Sequence, residues 1–137
     1  MKKLLGIALV TVLSLSLVAC GGNDAASSPT PAPVTNEIPP IPAGYEDARI
    51  INLDFTPQTI VPNSITLKAG EKVVFEIVNT DPDGEHNFLS KEIGLPEILV
   101  DGGQTVRSGW EVPNKPGTYE PLCTIHPWIK MTFVVEE

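Results

Sequence analysis

Residues 117–136 read GTYEPLCTIHPWIKMTFVVE. Both ends of this stretch are strand-like. Residues 118–122 lead from a glycine turn into Cys123, and residues 130–136 carry Met131, Phe133 and Val135 on one face, as a half-buried strand requires. Between them lies a loop with Cys123 and His126, and the spacing to Met131 is Cys-x2-His-x4-Met. Pro121 stands two residues before the cysteine. Because proline has no N–H to donate, that strand is expected at a sheet edge or locally bulged.

The signals upstream are also β. Residues 50–55 alternate after the first. Residues 64–67 run into a Lys-Ala-Gly-Glu turn at 68–71, and residues 72–79, KVVFEIVN, form the strongest strand pattern in the chain. Asp81, Pro82, Asp83 and Gly84 make a loop before His86. Residues 97–100 and 105–112 read as two more strands, stopped by Gly102-Gly103 and by Pro113 to Gly117 respectively. No helical period of useful length is present. Short strands at near-regular spacing, with turn residues between them, predict an all-β, Greek-key β-sandwich over residues 45–137.

The domain's soft and imidazole ligands are concentrated. Apart from Cys20, it has one cysteine and two histidines, Cys123, His86 and His126, and its one methionine is Met131. All four fall in two loop regions that a sandwich can bring to one end. A lone buried cysteine is usually a small hydrophobe, and a lone histidine is usually surface or core. Their joint placement points instead to a metal. One thiolate and two imidazoles, with a weak axial thioether, make the ligand set of type 1 copper. A structural zinc site would want a fourth good ligand. A second copper would want a second cysteine. A Cys–His nucleophilic pair would want a third orienting group, and none is evident.

The residues Gly117-Thr118-Tyr119, Cys123-Thr124-Ile125-His126-Pro127-Trp128 and His86-Asn87-Phe88 resemble the cupredoxin family, especially its plastocyanin- and amicyanin-like members. The resemblance covers roughly residues 50–137. It implies a β-sandwich with one copper at one end, held equatorially by His86, Cys123 and His126. Asn87 and Thr124 are similar to residues that tie the two loops together and orient the thiolate. The ring edge of His126, framed by Pro127 and Trp128, would be the port for electrons. In plastocyanin-like loops the axial methionine stands five residues after the second histidine, which is Met131 here. In amicyanin-like loops it stands three after, which is Ile129 here. The Met spacing favours Met131, and the His-Pro-aromatic sequence favours the other register. Ile129 in that place would give a more nearly trigonal site and a higher potential.

The N-terminal third reads differently. Lys2 and Lys3 precede a 16-residue, mostly apolar run at residues 4–19, which is short for a membrane span and built like a secretory signal peptide. It ends Leu17-Val18-Ala19-Cys20, similar to the bacterial lipobox, in which the cysteine is acylated and becomes the mature N-terminus. Acylation of Cys20 would preclude a disulfide with Cys123. Residues 20–44 then form a lipidated, disordered Pro/Ser/Gly linker, in which six of the chain's 14 prolines fall. The expectation is an exported protein, lipid-anchored to a bacterial membrane and facing the periplasm or cell exterior.

With Lys2 and Lys3 assigned to the leader, seven basic side chains face 17 acidic ones, a net charge of −10. That balance argues against nucleic acid, whose phosphates need a basic face. It suits a basic redox partner such as a cytochrome, or a membrane electron-transfer complex, and Asp81, Asp83 and Glu85 beside His86 are candidates to steer one. The function expected is single-electron transfer at the outer face of a membrane, without enzymatic turnover. A lipoprotein that scavenges or delivers copper is the alternative; it would be favoured by a Met- or His-rich tract, which the chain lacks.

Overall fold

A computed structural model describes residues 37–137; the expected signal peptide, Cys20 and most of the expected linker lie outside the described residues. Nine strands follow in order: β1 Arg49–Phe55, β2 Ile60–Val61, β3 Ser64–Lys68, β4 Lys72–Asn79, β5 His86–Ser90, β6 Leu95–Val100, β7 Thr105–Glu111, β8 Gly117–Tyr119 and β9 Thr132–Glu136.

The KVVFEIVN stretch becomes β4, at the middle of the first layer. Its N–H and C=O groups pair with β1 in parallel and β7 in antiparallel, giving the order β2-β1-β4-β7. The alternation sends Val73, Phe75, Ile77 and Asn79 to one face, and all four are buried. Ile51, Leu53 and Phe55 from β1 join them there. The second layer contains β3-β9-β8, with β3 parallel to β9. The β5-β6 pair is linked to this sheet through Leu122, which bridges Leu89 on one side and Lys130 on the other. The result is a Greek-key β-sandwich.

The two layers meet at Phe75. Its ring stacks on Phe133 at 5.8 Å and on Trp110 at 6.0 Å, and takes the edge of Phe88 at 5.6 Å. Offset and edge-on contacts of this kind add to the area each ring buries.

The stretch around Pro121 departs from expectation. It is no edge, since Leu122 is paired on both sides. The proline instead truncates the ladder: Pro121 O accepts from Met131 N–H at 3.0 Å, Pro121 has no N–H to return a bond, and β8 stops at Tyr119.

The end of the segment expected to be linker lies against the first layer. Arg107 donates to Pro39 O at 2.9 Å while pairing with Glu76 at 2.6 Å. Tyr45 lies over Gly109, where any Cβ would sit 2.6 Å from the ring. Lys72 reaches the same ring and Gly44 O. Val74 is paired with Gly109 and points away from the core, yet it is fully buried.

Candidate metal centre

Three loops and strand ends converge at one end of the sandwich. His86 opens β5, and the chain reaches it through the turn after Asn79. Asn79 is 1% exposed and holds that turn from inside. Its Nδ2 donates to Gly84 O at 2.7 Å and Val100 O at 3.1 Å, and its Oδ1 accepts from Asp81 N–H at 2.9 Å. An Asn two residues before Asp81-Pro82 is a sequence signal for such an Asx turn, whereas the bond to Val100 depends on the fold.

Cys123 follows Leu122 at the bridge, and His126 comes one turn later in the loop. Cys123 Sγ is 3.7 Å from His86 Nδ1 and 3.8 Å from His126 Nδ1. All three donor atoms lie within 4.8 Å of one another. A first-row metal ion bonded to N at about 2.1 Å and to S at about 2.3 Å would hold N and S roughly 3.6–3.8 Å apart in trigonal or tetrahedral geometry. The two observed N–S separations therefore match a site of metal size.

The protonation state suits the same role. Burial holds His86 below the ordinary histidine range, and the neighbouring His126 lowers it further, while Asp81 pulls the other way. A neutral imidazole keeps a lone pair for a ligand. Cys123 is fully buried, and its Sγ accepts from the His126 backbone N–H at 3.4 Å. His126 is the partly exposed member of the three.

Asn87 and Thr124 fasten the two loops. Thr124 N–H donates to Asn87 Oδ1 at 2.7 Å, and Asn87 Nδ2 donates to Thr124 Oγ1 at 2.7 Å. Asn87 Nδ2 also donates to Glu97 Oε1 at 2.6 Å, a contact the sequence did not flag. Glu97 lies on β6, ten residues away; Asn87 is paired with Leu99, and Glu97 is one same-face step along β6 from that partner.

Ile129 and Met131 are both buried on the Cys123 side of the chain. Leu122 faces Lys130, so Cys123 is opposite Ile129 and Pro121 is opposite Met131. Cys123 N–H donates to Ile129 O at 2.9 Å, and Ile129 N–H donates to His126 O at 2.8 Å. Met131 is one same-face step further from the loop, toward Phe133.

The rim is partly apolar. Ile125 is 42% exposed and Trp128 62%, with the Trp128 ring set edge-on against His126 at 5.2 Å. Asp83 and Glu85 face solvent, whereas the Asp81 carboxylate turns inward to 3.4 Å from His86 Nε2. The donor set fits one type 1 copper, with one thiolate and two imidazoles and, among the described residues, no fourth Cys or His of the kind structural zinc takes.

A family model described as a cupredoxin-like domain matches residues 25–135. No curated protein matches the chain in sequence. Among solved structures, auracyanin A, a "blue" copper protein from Chloroflexus aurantiacus, is similar with a TM-score of 0.54 at 20% identity, over 64% of this chain and 98% of that one. Reduced auracyanin from Roseiflexus castenholzii gives 0.55 at 16% identity, over 66% and 98%. The metal binding domain of a Cu(I) exporting P-type ATPase from Streptococcus pneumoniae gives 0.56 at 18% identity, over 64% and 85%. These likenesses are of fold.

Proposed function

From the chain's membership of the cupredoxin family, together with its His-Cys-His site, we propose that it carries single electrons between redox proteins at the outer face of a membrane. His86 Nδ1, Cys123 Sγ and His126 Nδ1 would hold one type 1 copper, which supplies a reversible one-electron couple when bound. The observation that carries this reading is a fully buried thiol set 3.7 and 3.8 Å from two imidazole nitrogens, one of them on a partly exposed ring.

The chain's own residues would act around that couple. The Asn87–Thr124 bonds keep the ligand loops from separating, so oxidation and reduction need little movement. Buried Phe55, with its ring 5.6 Å from His86, excludes water on the inner side. The exposed edge of His126, with Ile125, Pro127 and Trp128 around it, offers a dry patch to a partner. A net acidic chain favours a basic partner such as a cytochrome. Acylated Cys20 would hold the domain at a bacterial membrane.

The Streptococcus pneumoniae domain, solved with Cu(I) on the same fold, keeps copper handling as a second reading. Delivery requires a partner ligand to reach the metal. Here two of three ligands are 0% exposed, which favours electron passage over metal passage. The test uses the full chain in a bacterial host. The protein should fractionate with membranes, Cys20→Ser should appear in the soluble phase, and both should give reversible one-electron voltammetry with one copper. Copper that is handed to a chelating acceptor faster than it cycles would establish the second reading.

The register also bears on the axial place. With Ile129 opposite Cys123 in the register, the axial place of a bound copper would fall to Ile129 rather than to Met131. Ile129→Met should lower the reduction potential, because an added thioether stabilises the oxidised ion. Met131→Leu should leave the potential where it is. A shift in Met131→Leu with none in Ile129→Met would reverse the assignment.

A further inference from the structure

His86 has one ring nitrogen turned to Cys123 and the other turned away, and the second is unaccounted for. His86 is 0% exposed, and its Nε2 has no hydrogen-bond partner among the described residues. A buried donor left without an acceptor is costly, typically ~1–3 kcal/mol, and calls for an explanation. The group facing it is the Asp81 carboxylate, with Oδ2 at 3.4 Å, slightly beyond ordinary bonding distance.

The loop is built to aim that carboxylate inward. Asn79 Oδ1 takes the Asp81 N–H, and Asp81 Oδ1 takes the Asp83 N–H at 3.2 Å, which leaves Oδ2 toward the histidine. Gly84 leaves room for the carboxylate, which any Cβ there would strike. Gly102 lies against the same loop from β6's side, where a Cβ would come within 2.5 Å of Pro82 O. The Asp81 side chain is 16% exposed. An acid meant only for solubility would not be packed this way.

We propose that Asp81 is a positioning residue for His86. Its carboxylate accepts the Nε2–H, fixes the tautomer that leaves Nδ1 free, and adds negative charge behind one ligand. Histidine ligands commonly have their second nitrogen bonded to a carboxylate or carbonyl, which sets ring orientation and raises ligand basicity. A more basic ligand stabilises the more highly charged oxidised state, so Asp81 lowers the reduction potential. Because the pair is buried, added salt should screen it little.

The tautomer claim holds with or without metal, whereas the potential claim rests on the copper reading above. Long-range 15N NMR of the metal-free full chain in detergent micelles should show His86 protonated at Nε2 alone. Asp81→Ala should convert it to a mixture. Asp81→Asn retains an acceptor without the charge, so it should keep the tautomer. Loaded with copper, Asp81→Asn should keep its visible band and shift upward in potential, by an oxidised-to-reduced binding ratio on the order of tenfold, about 59 mV for one electron. An unchanged tautomer in Asp81→Ala, or an unchanged potential in Asp81→Asn, would overturn the proposal. Failure of the wild type to take up copper would overturn the function reading instead, and the metal-free spectra would still decide the role of Asp81.

Discussion

Cys123→Ser in the full chain, given one equivalent of copper(II), is expected to lose the intense visible band completely. It should show a pale, ordinary copper spectrum or no binding at all. Sγ is the atom around which the other two donors are arranged, at 3.7 and 3.8 Å, and it is the one soft anionic donor among them. A serine hydroxyl does not ionise at neutral pH and is a hard donor, whereas the reduced ion prefers soft thiolate. The fold should survive. The cavity hardly changes in size, and the new oxygen can accept the His126 N–H that now reaches sulfur at 3.4 Å. Far-UV circular dichroism should therefore match the wild type. Intense blue colour persisting in Cys123→Ser would refute the site.

Phe75→Ala should have the largest effect on stability. The ring is 0% exposed and touches Phe88, Trp110 and Phe133, so its loss opens a cavity where both layers meet. Removing a buried phenylalanine typically costs about 3–5 kcal/mol, against a total of about 5–15 kcal/mol for a domain. In urea unfolding of the metal-free protein, the midpoint should fall steeply while the slope stays near the wild-type value. The site should feel the loss as well, since Phe88 lies two residues from His86 on β5. A loss below about 1 kcal/mol would mean that the second layer relaxes to fill the space, contrary to the close packing of such cores.

Much of this was legible in the residues. The alternation in KVVFEIVN is carried by side-chain period alone, and β4 appears where that period begins and ends. The His-Cys-His grouping was legible because scarce ligand types coincided in two loops. What stayed hidden depends on register or on a turned side chain. Strand β5 carries buried residues on both faces, HNFLS with four of five buried, so no alternation marks it. Nothing in the sequence marks Glu97 as a partner of Asn87, because the contact depends on the β5–β6 register, in which Leu99 is opposite Asn87 and Glu97 one same-face step along. Asp81 looked like one of three solvated acids, and only the Asx turn and Gly84 reveal that it points inward. Pro121 was expected to put its strand at an edge or in a bulge, but the missing N–H is absorbed instead by a shortened ladder. The strap at Pro39 and Tyr45 was hidden by its composition, because proline-rich segments carry no period whether they are free or docked.

The unequal exposure of the three ligands has a kinetic consequence. On the proposed reading, with His86 and Cys123 buried, electrons would pass through a single doorway at His126. A donor and an acceptor that both use it cannot be engaged together, so each must leave before the other arrives. Traffic through such a turnstile follows ping-pong kinetics, and excess of either partner slows the whole cycle by occupying the entrance. Raising donor concentration at fixed acceptor should therefore first speed and then slow turnover.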